Sequence, residues 1–141
     1  MDSWNNLKSH FEQDGSLRDI IVTSESQDSW ELFFAALKSA EYSHTFTHGG
    51  NLCTLPDSIN SIWKLQNTDP TLLFVRIGEL IINCHFFKSY EIEFDLDPKD
   101  IKSKSDFVVL LSLLSWLNKS IKSSVVLTHE NSRKEVILSV E

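Results

Sequence analysis

Glycine, proline, cysteine and methionine are all scarce in this 141-residue sequence, with four, three, two and one copies respectively. Two cysteines, Cys53 and Cys84, are too few for the disulfide framework of a small secreted scaffold, so both are expected as free, buried thiols in a reducing compartment. The few glycines exclude the standard phosphate-cradling loops: Gly49-Gly50 is too short and Gly78 stands alone. No Gly-x-Ser-x-Gly elbow, His-Glu-x-x-His pair or Cys-x-x-Cys pair occurs, which leaves no standard serine nucleophile, zinc helix or thiol pair. We therefore assign no catalytic residue, no metal ligand and no cofactor from sequence.

Long hydrophobic runs are missing as well. The longest apolar stretches, LLFVRIGELIINCHFF and FVVLLSLLSWL, are interrupted or fall short of the roughly 18 residues a membrane helix needs. The opening MDSWNNLKSHFEQDGS shows no basic flank followed by an apolar core, so a cytoplasmic protein without a membrane partner is expected. Positive charge is also in short supply, with 13 basic against 20 acidic side chains and a formal charge of -7. Phosphate backbones need local Lys and Arg to neutralise them, so nucleic acid is not the expected partner. An acidic surface suits a basic protein, whose complementary field speeds encounter.

Hydrophobic content is ordinary at 41%, and nine Phe and four Trp supply bulky material for a core. The length fits one domain, taken as residues 1–141. Trp4, Leu7 and Phe11 have helical spacing and predict a short N-terminal helix ending near Asp14-Gly15. Leu17–Thr23 reads as a strand, and Ser24 with Gln27 predicts a cap for a helix running to about Ala40. Tyr42–Thr47 and Leu52–Leu55 read as strands around the Gly49-Gly50-Asn51 turn. Pro56 fits the first turn of a helix carrying Ile59, Ile62 and Trp63.

The second half is plainer. Leu72–Ile77 and Leu80–Phe87 around Gly78-Glu79 predict a hairpin of two largely buried strands. EIEFDLD then alternates strictly, with Ile92, Phe94 and Leu96 on one side and Glu91, Glu93, Asp95 and Asp97 on the other. Pro98 ends that strand, and the three strands together predict a meander. Ser103 with Asp106 predicts the cap of a helix whose apolar stripe runs from Phe107 to Ile121. Val125–Thr128 and Val136–Val140 read as strands, the last at a sheet edge or inside the sheet. The fold class is α+β: a mixed or mainly antiparallel sheet packed against helices.

The acidic strand is the most conspicuous candidate. Glu91, Glu93 and Asp95 share a face at about 7 Å intervals, as a solvated strand face, a patch for a basic partner, or a cation or catalytic site. Arg18 and Asp19, on opposite faces at a strand start, are either structural anchors or part of a binding surface. Arg76, inside an apolar strand, is expected to form a partly covered ion pair. Cys84 and His85 face opposite sides of their strand, which argues against one shared centre. A zinc site of His48, Cys53 and Cys84 is the remaining metal arrangement to test.

Three stretches, DGSLRDIIV (14–22), NCHFFKSYEIEFDLDPKDI (83–101) and VVLTHEN (125–131), resemble a group of small bacterial proteins without an assigned activity. Some of that group look like immunity proteins that accompany secreted toxins. The resemblance implies a non-enzymatic protein that neutralises a basic toxin domain by covering its active cleft. Glu91, Glu93, Asp95, Asp97, Arg18 and Asp19 are then partner-binding positions. The alternatives are a small-ligand-binding protein, an enzyme of unrecognised type, or an oligomer joined through Val136–Val140; the sequence leaves the oligomeric state open.

Overall fold

Alternating burial along the strands sets this architecture. The computed structural model describes residues 3–24, 26–40 and 42–141. Strands β1 (Arg18–Thr23), β2 (Ser43–His48), β3 (Asn51–Cys53), β4 (Thr71–Ile77), β5 (Leu80–His85), β6 (Glu91–Leu96), β7 (Val125–His129) and β8 (Ser132–Val140) form one eight-stranded sheet. Its order is β3-β2-β4-β5-β6-β1-β7-β8, and every pairing is antiparallel. The expected meander is β4-β5-β6. The fold is α+β.

Registers show that one face is buried throughout. Phe46 opposes Leu73, Leu73 opposes Cys84, Cys84 opposes Phe94, Phe94 opposes Ile20, and Ile20 opposes Leu127. Directly opposed residues share a face, so these side chains make a row across the sheet. Helices α1 (Trp4–Leu7, continued as a 3-10 turn over Lys8–Phe11), α2 (Asp28–Ser39), α3 (Ile59–Gln66) and α4 (Lys104–Ile121) add their apolar sides to the same continuous core. Trp30, Phe33 and Leu37 of α2 and Leu110, Leu114 and Leu117 of α4 are fully enclosed.

Local chemistry explains where the elements begin and end. Gly49 and Gly50 both have positive φ, 57° and 81°, as the tight β2–β3 hairpin demands of its two central residues. The Ser103 hydroxyl accepts a hydrogen bond from the Asp106 amide, while the Asp106 carboxylate accepts one from the Lys102 amide, closing the start of α4. Two expected starts differ. Helix α3 begins after Ser58, whose hydroxyl accepts from the Ser61 amide, and Pro56 lies ahead of it outside the helix. Ser24 turns back on the Ser26 amide and does not cap α2; Ser26 accepts from Asp28 instead.

Strand β8 occupies one sheet edge. A bulge near Thr128 and Val136 and the charged run Arg133-Lys134-Glu135 interrupt its free side, features that discourage edge-to-edge association. No helix among the described residues is long and apolar enough to cross a membrane.

Cys53 is exposed on the three-residue edge strand β3, against the expectation of burial; too little sheet lies beyond it to cover it. Cys84 is buried, and burial pushes its thiol far above the usual range. Both thiols are free.

Phe94, at the centre of the row, packs edge-on against Phe33 with ring centroids 5.3 Å apart. Phe94→Ala is expected to cost about 3–5 kcal/mol in chemical denaturation. Leu52→Ala, on the exposed edge strand, should cost less than about 0.5 kcal/mol.

Candidate functional site

Because Ile92, Phe94 and Leu96 face the core, their neighbours Glu91, Glu93 and Asp95 occupy the open face of β6. Antiparallel pairing with β1 sets Asp19 directly beside Asp95 and Ile21 beside Glu93. Pairing with β5 sets Asn83 beside Asp95 and His85 beside Glu93. Asp19, Glu93 and Asp95 therefore crowd into one patch, with Glu91 at its end.

Asp95 is held through both of its oxygens. One oxygen accepts from the Asn83 amide at 2.8 Å, and the other from His85 Nε2 at 2.5 Å. The His85 ring stacks on Phe87, with planes 12° apart. The hydrogen bond to Asp95 favours the imidazolium and raises the His85 pKa above its ordinary 6.5, partly opposed by burial. Among the described residues no hydroxyl or thiol is hydrogen-bonded to this imidazole.

Asp19 and Glu93 sit less comfortably. Burial raises the Asp19 pKa, only partly offset by the 2.9 Å hydrogen bond it accepts from the Asn131 amide, and the Asp95 charge raises it further. Burial also raises the Glu93 pKa, and repulsion from Asp19 adds to it. Glu91 behaves oppositely. Arg133 donates to both of its oxygens, at 2.5 and 2.7 Å, and holds its carboxyl below the ordinary range. Arg133 comes from β8, beyond β1 and β7, so the tip of the β7–β8 hairpin reaches across the open face. Asp19, Ile21 and Glu93 line a depression of about 440 Å³ together with hairpin residues 131–134.

A second depression, of about 650 Å³, adjoins Glu91 and is walled by Trp63, Phe87 and Tyr90. Phe87 and Tyr90 are 67% and 59% exposed. The Trp63 ring is fixed by its indole N–H, which donates to the Phe86 carbonyl at 3.2 Å.

No family model, curated protein or solved structure matches this chain.

Two of the sequence candidates stand apart from the patch. Arg18 faces the core side of β1 and is only 1% exposed. Its guanidinium donates to the carbonyls of His10, Glu12, Ser16 and Leu17 and to the Ser16 hydroxyl, and so ties the N-terminal segment to the sheet. It is an anchor. Asp97 lies past the end of β6, where it accepts from the Lys99 amide and caps a 3-10 turn over Pro98–Asp100. The burial alternation of β6 continues through Asp97 and buried Pro98, with Asp97 still in extended backbone.

Other expectations shift too. Arg76 is exposed on the open face of β4, between β2 and β5, and forms no ion pair among the described residues. The His48 imidazole contacts the Leu65 carbonyl and the Thr68 hydroxyl. No group of three or more His, Cys, Asp or Glu among the described residues is arranged to hold a metal, the His48, Cys53 and Cys84 set included.

A second histidine gives a contrasting titration. His129 Nε2 lies 3.0 Å from His10 Nδ1, and burial together with the nearby Arg18 charge lowers its pKa below 6.5. His85 stabilises the fold fully below pH 6.5 and loses that contribution as pH rises through its raised folded value. His129 contributes above pH 6.5 and loses its contribution as pH falls through its depressed value. An NMR titration should place the two midpoints on opposite sides of 6.5. Asp95→Asn should return only His85 toward the ordinary value.

Glu93 supplies a sharper check. Its raised pKa means that its charge destabilises the fold above the folded value, and the penalty disappears below the ordinary 4.5. Glu93→Gln is expected to raise the thermal midpoint at pH 7, with an advantage that shrinks toward pH 4. A lower midpoint at pH 7 would show that the Glu93 charge is structurally required.

Proposed function

We propose that this chain is a non-enzymatic protein-binding protein that offers the open face of its sheet to a basic partner. The observation that carries this reading is the juxtaposition of crowded carboxylates with exposed aromatic rings. Asp19, Glu93 and Asp95 supply negative potential, while Phe87 and Tyr90 beside Glu91 supply apolar area that binding would bury. Anchored aromatics within a charged surround are the usual composition of an interface centre. Complementary charge adds encounter rate and selectivity.

The raised pKa values of Asp19 and Glu93 support the same reading. A partner's cations would relieve repulsion that the free protein leaves unbalanced, so part of the binding energy comes from the patch itself. The resemblance of the 14–22, 83–101 and 125–131 stretches to immunity-like bacterial proteins suggests the kind of partner. It is a toxin domain with a basic active cleft, neutralised by occlusion.

The depression lined by Asp19, Ile21 and Glu93 favours a second reading, a site for a small cationic ligand. Small ligands are usually enclosed over most of their surface, whereas these carboxylates lie on a broad open face flanked by rings. The protein-binding reading accounts for both depressions.

The test compares tagged wild-type protein with a Glu93→Lys, Asp95→Lys variant shown by circular dichroism to be folded. Both are used to capture partners from native extract at low and moderate salt. A basic protein held stoichiometrically by the wild type, released as salt rises and bound at least about tenfold more weakly by the variant, is the expected result. Equal capture by both proteins would remove the acidic face from the mechanism.

A further inference from the structure

Glu91 stands between the two depressions and lines the aromatic one. Its carboxylate is only 12% exposed, yet the Arg133 fork that satisfies it is 53% exposed and belongs to a hairpin tip. A strongly held acceptor is thus paired with a loosely held donor. On the other side, Phe87 and Tyr90 present largely uncovered rings, and Trp63 forms a fixed wall. A carboxylate beside open aromatic faces suits a guanidinium, which stacks on rings while its fork pairs with both oxygens.

We propose that Glu91 is an arginine-exchange site: an arginine of the basic partner enters the Trp63–Phe87–Tyr90 depression and displaces Arg133, the site's internal occupant. This rests on the protein-binding reading above and deepens it by naming the side chain recognised and the contact that competes with it. Closed, the Arg133 contact holds residues 131–134 against the depression containing Asp19, Ile21 and Glu93. Opened, it takes the Arg133 charge away from Glu93 and leaves that carboxylate available to further cations of the partner. The exchange is balanced, because one bidentate pair replaces another and the incoming guanidinium gains the ring contacts.

Two details bear on the competition. The Lys88 ammonium lies 3.7 Å from the second Glu91 oxygen on a 64% exposed side chain, a point-charge contact that a bidentate fork outcompetes. The second Arg133 nitrogen is 3.7 Å from Glu93, too long for a hydrogen bond, so among the described residues only Glu91 fixes the fork. The Arg133 side chain is itself 53% exposed, so a competing guanidinium can reach the pair from solvent.

The probe is the blocked tripeptide acetyl-Gly-Arg-Gly-amide, with its lysine counterpart, titrated into isotope-labelled protein and followed by NMR. Shifts are expected at Phe87, Tyr90 and Glu91 and at the Arg133 side-chain N–H. Arg133→Met should bind the arginine peptide about fivefold more tightly than wild type, the factor lost to an exposed competing pair. Arg133→Lys, which keeps the charge without the fork, should fall between the two. Glu91→Gln should abolish the Glu91-centred shifts, and the lysine peptide should bind more weakly throughout. No gain in either Arg133 variant, equal binding of the two peptides, or shifts unaffected by Glu91→Gln would each overturn the exchange. The titration needs no protein partner, so its failure is separate from failure of the capture experiment, which turns on Glu93 and Asp95.

Discussion

A wide antiparallel sheet covered by helices on one side only is the constraint on which this molecule depends. Each core-facing Ile, Phe or Leu removed from water contributes about 1.5–3 kcal/mol, and a one-residue slip would turn a strand's whole apolar set outward. The registers of β1, β5 and β6 are therefore fixed by Ile20, Ile82, Cys84, Ile92, Phe94 and Leu96. The side chains between them have no choice of face. Asp19, Asn83, His85, Glu93 and Asp95 become neighbours because residues on the opposite face require it.

Two buried or half-buried charge systems show how differently this fold treats ions. Arg18 is enclosed completely, and backbone carbonyls and the Ser16 hydroxyl surround its guanidinium. Asp14, 3.6 Å away, is held to a pKa of about 2, chiefly by its bonds with Ser16. A charge serving structure has its partners built in. Glu93 has a 3.7 Å ion-pair contact and a pKa displaced against ionisation. Burial and the neighbouring Asp19 work against the Glu93 charge, whereas the Arg18 charge has its acceptors in place.

The architecture was largely legible in the sequence, because its signals were local. The alternation of EIEFDLD, the Gly78-Glu79 hairpin and the Ser103–Asp106 cap each reside in a few consecutive residues, and each element forms where they place it. Pro56 misled because proline's fixed φ suits an extended approach as well as a helix start, and the hydroxyl of Ser58 decided between them. The site was half legible. Alternation gave the carboxylate row, but Asp19 joined it only through strand order, which puts β1 between β6 and β7. Arg133 had no local signal at all. It lies 42 residues from Glu91, and only the curl of the last hairpin brings them together.

That separation matters for how the open face works. A cation on β6 itself would neutralise the carboxylates permanently, since neighbouring side chains on one strand face share a rigid backbone. Arg133 instead sits at the start of an edge strand, next to a turn whose Asn131 adopts positive φ and whose amide is held by Asp19. Its contact with Glu91 can break without disturbing a single core residue, because the bulge near Thr128 and Val136 separates the tip from the apolar pairing of Leu127 with Leu138. The covered face supplies the stability, and the hairpin tip supplies a charge that can leave. Release of Arg133 would therefore take one positive charge off a face that already carries Asp19, Glu93 and Asp95, and leave the core pairing beneath it in place.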